Sequence, residues 1–378
     1  MLASALRPAA LAALALTLIA PPARAEPTIG PTTGPTATPT AELPLRRVKP
    51  TLTRQAGGPW VVMSSDRRHW FLYGLRGGVL HGPRGKPRRL ALTGRPYRIA
   101  IAPGGATLAY TAEDDASVAI VDVATGAVRW RGGFGVPYAM LAVEFRDART
   151  AMISTGCRIL TVDLAQPDAA PRALGATRCD EATARKVSED RPFAGRFWYR
   201  PADGAVEPRL LDVSTGAELE LPWTRDADVA VADDGAMVCA ARRYQRQPDV
   251  QCARPGEAPR VAIPGVPRWM AMSADGAQVA ALIVVDDERA RLVVADLATG
   301  VTRNLGVVTD TRVYAVGRAL VTSHGPDGGA TVWRLDRGHR GALFRGEEVE
   351  FALPTADPTT HLFAIARGAG ELFYTVRL

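Results

Sequence analysis

Histidines are the first residues to examine for catalysis or metal binding, and the chain has five of them: His69, His81, His324, His339 and His361. None lies in a His-Glu-x-x-His or other metal-ligand spacing, and no Gly-x-Ser-x-Gly elbow is present to hold a nucleophilic serine. No glycine-rich nucleotide-binding loop is visible either. We therefore assign no catalytic residue, and we expect neither a resident metal nor a cofactor.

Two acidic runs could supply the hard oxygen ligands that Ca²⁺ prefers: Glu113-Asp114-Asp115 and Asp286-Asp287-Glu288. A calcium site would need them to converge, whereas the repeat described below places them in distant units. We interpret both runs as solvated hairpin tips. The stretch from Ser64 to Trp70 resembles the Asp-box turn of sialidases. It occurs once and lacks the glycine of that motif, so a turn at a strand end is the favoured interpretation.

The four cysteines are Cys157, Cys179, Cys239 and Cys252, which allow three pairings in an oxidising compartment. Cys239 and Cys252 lie in two short apolar runs that read as a hairpin, so we expect these two to form one bridge. Cys157 and Cys179 then form the second, joining consecutive units. Zinc binding is the alternative, but no Cys-x-x-Cys spacing supports it.

Aromatic and arginine side chains form the main candidate binding set. Gly-x-Pro turns precede Tyr97, Arg98, Tyr138, Arg268 and Trp269. Trp223 and Arg225 occupy a related connection, and Arg242 and Tyr244 belong to a basic loop. Such side chains dominate binding hot spots because they bury large areas and pair with carboxylates. The alternative is that they only wedge neighbouring structural units together.

The first 25 residues predict export. Arg7 precedes an uncharged apolar run, and Ala23-Arg24-Ala25 fits the small-x-small cleavage rule. Cleavage before Glu26 would remove two arginines from a chain of formal net charge +7. A retained N-terminal anchor is the alternative. Residues 26–45 are rich in proline and threonine and predict a flexible spacer, which leaves residues 46–378 as one folded domain.

A dense basic cluster comprises Arg84, Lys86, Arg88, Arg89, Arg95 and Arg98. Such a cluster can attract polyanions. Export removes the usual opportunity to meet nucleic acid, and a solvated outer strand explains the cluster as well. We expect no nucleic-acid partner.

Internal repeats are the strongest signal in the chain. Asp-x-x-Thr-Gly occurs at Asp122, Asp212 and Asp296, which are 90 and 84 residues apart, close to twice a unit of about 42 residues. Each copy follows a β-rich run. Since Asp bonds its own backbone two residues on and Gly adopts positive φ, the motif predicts a turn from a third to a fourth strand.

The Gly-x-Pro turns give the same period and mark where the first strand of each unit begins. We expect these inner strands to start near eight positions: Trp60, Tyr97, Tyr138, Ala182, Asp228, Arg268, Thr311 and Glu348. Short strands fill the intervals, and no sustained helical period occurs after the signal peptide. The repeat predicts an all-β propeller of about eight four-stranded blades, with seven as the alternative. Arg46 to Arg54 would supply the outer strand of the last blade.

The line from Ala102 to Gly126, "APGGATLAY…VAIVDVATG", resembles the repeats of WD40-like and TolB-like propellers, and Ser273 to Gly300 is a second copy. The match is at the level of the repeat, because the Gly-His and Trp-Asp pairs of true WD40 blades are absent. The resemblance implies a propeller fold and a tendency to bind partners, with no particular chemistry. It places ligands at the axial end where inter-blade loops and second-to-third-strand loops gather.

These observations favour a secreted or envelope-exposed binding or scaffold module, monomeric, for a protein, peptide or glycan partner. A propeller hydrolase or lactonase with a site at the channel mouth is the alternative, and a purely structural envelope role is a third.

Overall fold

A computed structural model describes residues 60–83, 86–175, 191–193, 197–202, 207–242, 248–317, 319–323, 328–335, 339–344, 346–357, 359–367 and 370–377. Several predicted features lie outside these residues. They are the signal peptide, the spacer, the closing strand from Arg46 to Arg54, Arg84 of the basic cluster, and two candidate site residues, Cys179 and Tyr244.

The first four blades contain strands β1 to β16. Blade 1 comprises β1 (Trp60–Met63), β2 (Trp70–Gly74), β3 (Gly77–His81) and β4 (Arg88–Ala91). Blade 2 comprises β5 (Pro96–Ile101), β6 (Thr107–Ala112), β7 (Ser117–Asp122) and β8 (Val128–Gly133). Blade 3 comprises β9 (Ala142–Phe145), β10 (Thr150–Ser154), β11 (Ile159–Asp163) and β12 (Arg172–Leu174). Blade 4 comprises β13 (Arg191–Phe193), β14 (Phe197–Arg200), β15 (Arg209–Asp212) and β16 (Glu218–Glu220).

The second half repeats this plan with β17 to β31. Blade 5 comprises β17 (Asp228–Val231), β18 (Val238–Ala241), β19 (Asp249–Ala253) and β20 (Arg260–Pro264). Blade 6 comprises β21 (Pro267–Met272), β22 (Gln278–Val284), β23 (Ala290–Asp296) and β24 (Thr302–Val308). Blade 7 comprises β25 (Arg312–Ala315), β26 (Ala319–Ser323), β27 (Ala330–Arg334) and β28 (His339–Leu343). Blade 8 comprises β29 (Glu348–Pro354), β30 (Thr360–Arg367) and β31 (Gly370–Arg377).

Every blade is an antiparallel meander in which the strands pair in chain order. This topology puts the loops on two faces. The upper face, as we name it, carries the inter-blade connections and the loops between second and third strands. The lower face carries the loops between first and second strands and between third and fourth strands. Each inner strand therefore begins at the upper face and ends at the lower face.

The Asp-x-x-Thr-Gly turns form as the sequence predicts. In blade 2 the backbone N–H and the hydroxyl of Thr125 donate to Asp122 Oδ1 at 2.9 and 3.0 Å. The N–H of Gly126 donates to the Asp122 carbonyl oxygen, and its φ of 73° is one that glycine adopts without strain. The turn joins β7 to β8, the third and fourth strands of the blade.

Among the described residues, eight hydrophobic clusters hold the ring together, one at each junction between neighbouring blades. The junction that closes the circle packs Leu72 of blade 1 against Leu362 and Phe373 of blade 8. Blade stacking buries both faces of each sheet, which a single blade cannot do alone. The prediction of an eight-bladed propeller is confirmed, and the seven-bladed alternative is wrong.

Six of the eight predicted inner strands begin within one residue of their expected position. Tyr138 is an exception: it opens a short 3₁₀ helix that ends at Met140, and β9 begins only at Ala142. Ala182 lies outside the described residues, and the first described strand of blade 4 begins at Arg191.

One predicted disulfide joins Cys239 and Cys252, which lie directly opposite each other on β18 and β19. Cys157 is also disulfide-bonded, whereas its expected partner Cys179 lies outside the described residues. Within the described part of the chain, no helix is long and apolar enough to cross a membrane.

Candidate functional site

The candidate binding residues collect on the upper face, in two groups on opposite sides of the ring. Tyr97 and Arg98 begin the inner strand of blade 2, and Tyr138 precedes that of blade 3. The second group belongs to blades 5 and 6, and comprises Trp223, Arg225, Arg242, Arg268 and Trp269. Since blade 6 faces blade 2 in a ring of eight, the residues do not form one continuous patch.

Tyr97 and Tyr138 come into direct contact. Their ring centroids are 5.0 Å apart and their planes make an angle of 80°, the edge-to-face geometry that the aromatic quadrupole favours. The guanidinium carbon of Arg98 lies 5.8 Å from the centroid of Tyr97. Tyr97 remains 44% exposed although it is held on two sides. The pair therefore offers a fixed apolar surface to solvent.

Two carboxylates of the acidic run in blade 2, Glu113 and Asp115, interact with Tyr138 and with neighbouring arginines. Arg95 forms an ion pair with Glu113, with 3.0 Å between Nε and Oε2. The Tyr138 hydroxyl donates to the Glu113 carboxylate, and this hydrogen bond raises the pKa of Tyr138. In the same run, Asp115 pairs with Arg131. No cluster of metal-ligating side chains occurs among the described residues.

Buried hydroxyls fix the inter-blade loops of the upper face. Tyr110 donates to the carbonyl oxygen of Thr93 at 2.9 Å and accepts from the N–H of Thr93 at 3.2 Å. Between blades 4 and 5, the Tyr199 hydroxyl lies 2.9 Å from Thr224 Oγ1. These hydrogen bonds fasten the two loops to the second strands of blades 2 and 4.

Arginines of the second group bind carbonyl oxygens of their own face. Arg268 donates to the carbonyl oxygens of Asp286 and Asp287 at 2.9 and 2.8 Å. Arg242 donates to the carbonyl oxygen of Trp223 at 3.1 Å. These contacts stiffen the loops, which is the packing role that the sequence left open as an alternative. The remaining arginine, Arg225, pairs with Glu207 at 3.0 Å.

Trp269 makes a different contact. Arg312 of blade 7 places its guanidinium carbon 5.6 Å from the Trp269 ring centroid. Both residues belong to inner strands at the upper end of the channel. Trp269 also packs against the hydrophobic cluster between blades 6 and 7, so the contact joins these two blades.

Sequence reasoning missed Trp60, which is 45% exposed at the start of β1 and lies 5.6 Å from the Tyr73 ring. The sequence does contain a pattern that indicates Trp60. Gly57-Gly58-Pro59-Trp60 has the same form as the Gly-x-Pro-Tyr segments that end at Tyr97 and Tyr138. In the sequence, three consecutive repeat units therefore carry an aromatic residue directly after Gly-x-Pro. We call Trp60, Tyr97 and Tyr138 the aromatic platform.

Comparison with known proteins bears on the fold alone. No family model and no curated protein matches the chain. The structure of the Dos1 propeller aligns over 88% of this chain and 95% of its own, with a TM-score of 0.58 and 12% identity. A structure described as the eukaryotic initiation factor aligns over 87% of both chains, with a TM-score of 0.58 and 8% identity.

The chain is a β-propeller. At these identities the likeness extends to the architecture and no further. The resemblance to TolB-like repeats stays a prediction, since no family model supports it.

Proposed function

We propose that this propeller is an exported binding module that holds a protein, peptide or glycan partner on its upper face. The observation that carries the proposal is the contact between the exposed ring of Tyr97 and the half-buried ring of Tyr138, which neighbouring blades contribute. A fixed aromatic pair loses little conformational freedom when it binds, so more of its contact energy is available for affinity.

The surroundings of the platform suit recognition. Arg98 and the Arg95–Glu113 pair supply hydrogen-bond donors and acceptors beside the rings. Aromatic and arginine side chains with a polar rim are the common composition of binding hot spots. The predicted signal peptide supports a location outside the cytoplasm, where the predicted disulfides would form.

The protein should be prepared from Glu26 to Leu378 and screened against a glycan array, a peptide library, and secreted and envelope extracts of its host. Tyr97→Ala/Tyr138→Ala is the test variant. Its matched control is Val261→Ala/Val307→Ala, which removes two exposed apolar side chains from the outer strands β20 and β24. A ligand kept by the control and lost by the folded test variant supports the proposal. A ligand retained equally by both contradicts it.

One group favours the alternative of a propeller enzyme. Burial raises the pKa of Glu144, on the inner strand β9, to about 7. A carboxyl group with a pKa near neutrality can serve as a general acid or base. Turnover of a lactone, glycoside or ester that disappears in Glu144→Gln would support this second function. Equal rates in the wild type and Glu144→Gln would remove it.

A further inference from the structure

A crevice opens between blades 6 and 7, away from the aromatic platform. It encloses about 380 Å³, with Arg289 of blade 6 on one side and Trp333 and Arg340 of blade 7 on the other. This volume lies at the lower end of the range for ligand pockets, roughly 300–1,000 Å³. The crevice therefore has room for a small molecule or for the end of a peptide.

A bulge near the end of β24 shapes the blade 6 side of the crevice. The pairing of β23 with β24 shifts its register there. Asn304 Oδ1 accepts from the N–H of Gly306 at 2.9 Å, and Gly306 has a φ of 111°, which glycine tolerates. A bulge bends its strand and re-aims the side chains beyond it. Val307, which is 52% exposed, and Val308 follow the bulge and line the cavity.

Arg340 is an exposed cation held over an aromatic ring. Its guanidinium carbon lies 5.6 Å from the ring centroid of Trp333. Trp333 is only 7% exposed, and its Nε1–H donates to the hydroxyl of Thr322 at 3.1 Å, so the ring is a fixed support. Among the described residues, the side chain of Arg340 forms no ion pair and no hydrogen bond. Its N–H donors therefore remain available to a ligand.

The other charged side chains at the cavity already have partners. Arg289 binds Asp286, with 2.7 Å between Nε and Oδ2. Asp310 is fully buried and accepts from the hydroxyl of Thr322. An incoming group therefore meets one cation that is free to pair. A monoanion such as a carboxylate matches this charge, whereas a phosphate dianion would bring excess negative charge close to Asp310.

The uncharged part of the lining favours a peptide over a glycan. Val307, Val308 and Ala342 present aliphatic carbon at the same cavity as the guanidinium groups. A sugar ring would pack against an exposed aromatic face, but Trp333 is almost fully buried. An aliphatic side chain next to a carboxylate is the combination that this lining fits.

We infer that the crevice binds a carboxylate of a peptide ligand, with Arg340 as its ion-pair partner and the valines of β24 against the neighbouring aliphatic side chain. An arginine and a carboxylate can form two parallel hydrogen bonds, which give the contact direction as well as affinity. The inference is independent of the proposed function, because none of these residues belongs to the aromatic platform.

Nuclear magnetic resonance with small probes tests this site. The indole N–H resonance of Trp333, identified by its loss in Trp333→Phe, reports binding beside Arg340. N-acetylleucine carries a C-terminal carboxylate, and the α-amide of N-acetylglutamate carries a side-chain one, so the two probes distinguish these sources. N-acetylleucine amide is the uncharged control. We expect a saturable shift with at least one acid and about tenfold weaker binding of the amide, the loss of one charge-assisted contact.

Arg340→Gln should weaken binding of the acid about tenfold. Its matched control is Arg172→Gln, which removes an exposed arginine from β12, the outer strand of the opposite blade, and should bind as the wild type does. Thermal unfolding checks that both variants fold. If Arg340→Gln does not, Arg340→Lys keeps the charge but loses the planar fork, and should bind several-fold more weakly. Equal binding of N-acetylleucine and its amide, or unchanged affinity in the folded Arg340 variant, would overturn the inference.

Two further probes test the class of ligand. Tighter binding of phenyl phosphate than of either acid would overturn the choice of a carboxylate, and tighter binding of galacturonate would overturn the choice of a peptide. Tyr97→Ala/Tyr138→Ala should bind N-acetylleucine as the wild type does. Loss of that binding in the platform variant, with full binding in Arg340→Gln, would place the carboxylate on the platform and contradict the crevice.

Discussion

Arg67 and Asp233 are 166 residues apart in the chain, yet their side chains meet at 2.8 Å across the lower end of the ring. The two side chains are 28% and 39% exposed, so solvent screens much of their attraction. Their pairing joins blades 1 and 5, which are not adjacent in the ring. The contact therefore stabilises the closed ring more than it stabilises either blade alone.

A double-mutant cycle measures this pair. Arg67→Ala, Asp233→Ala and the double variant should give a coupling free energy of about 0.2–1 kcal/mol, as expected for a partly exposed ion pair. Urea unfolding gives the free energy of unfolding of each variant. The coupling free energy should decrease as the salt concentration rises. A coupling indistinguishable from zero at low salt would show that the pair does not form in solution.

The bridge between Cys239 and Cys252 should stabilise the native state by about 3 kcal/mol, because it closes a short loop in the unfolded chain. The variant Cys239→Ala/Cys252→Ala tests this in urea. Both proteins are measured without reductant, so that the disulfide of Cys157 stays intact. A double variant as stable as the oxidised wild type would contradict the prediction.

His361 should make the protein sensitive to acid. Burial lowers its pKa from 6.5 to about 4, against a smaller opposing effect of Asp357. Between these values the unfolded state binds a proton that the folded state does not. Stability should therefore fall as pH drops from 6.5 towards 4, by on the order of 1–3 kcal/mol from this residue. His361→Gln should flatten that part of the pH profile, and an unchanged slope would refute the assignment.

Glu144 should have the opposite dependence. Burial raises its pKa from 4.5 to about 7, so the folded state keeps a proton that the unfolded state releases. The stability contributed by this group is complete below pH 4.5 and is lost as pH rises through 7. Glu144→Gln should be more stable than the wild type at pH 8, by on the order of 1–3 kcal/mol, with little difference at pH 4. If Glu144→Gln lowered the free energy of unfolding more at pH 8 than at pH 4, the predicted direction would be wrong.

Tyr138 should titrate above its usual range because its hydroxyl donates to Glu113. In Glu113→Gln the acceptor loses its charge, so the pKa of Tyr138 should fall. Absorbance of the tyrosinate near pH 10 follows this change, and Tyr138→Phe identifies the signal that belongs to Tyr138. A titration unaffected by Glu113→Gln would show that the hydrogen bond is absent.

Local chemistry explains what sequence reasoning could predict. The turn at Asp122 depends on residues within four positions of it, so its place between third and fourth strands followed from the residue types. The start of blade 3 did not follow, because a 3₁₀ turn after Pro137 delays the strand to Ala142. Nothing in the residue types around Tyr138 distinguishes such a turn from an early strand.

Of the contacts between residues far apart in the chain, some could be predicted from the sequence and others could not. The shared Gly-x-Pro turns placed Tyr97 and Tyr138 at one mouth, and the structure adds that their rings touch. The Arg67–Asp233 contact had no signal, because it depends on eight blades bringing opposite loops within side-chain reach.

Hydrogen–deuterium exchange with a selected ligand tests the central claim most directly. The account predicts slower exchange in residues 94–98 and 135–140 when the ligand binds, with no change in the outer strands β20 and β24. The same pattern should vanish in Tyr97→Ala/Tyr138→Ala. Protection confined to the outer strands or to the lower face would contradict a binding site on the upper face.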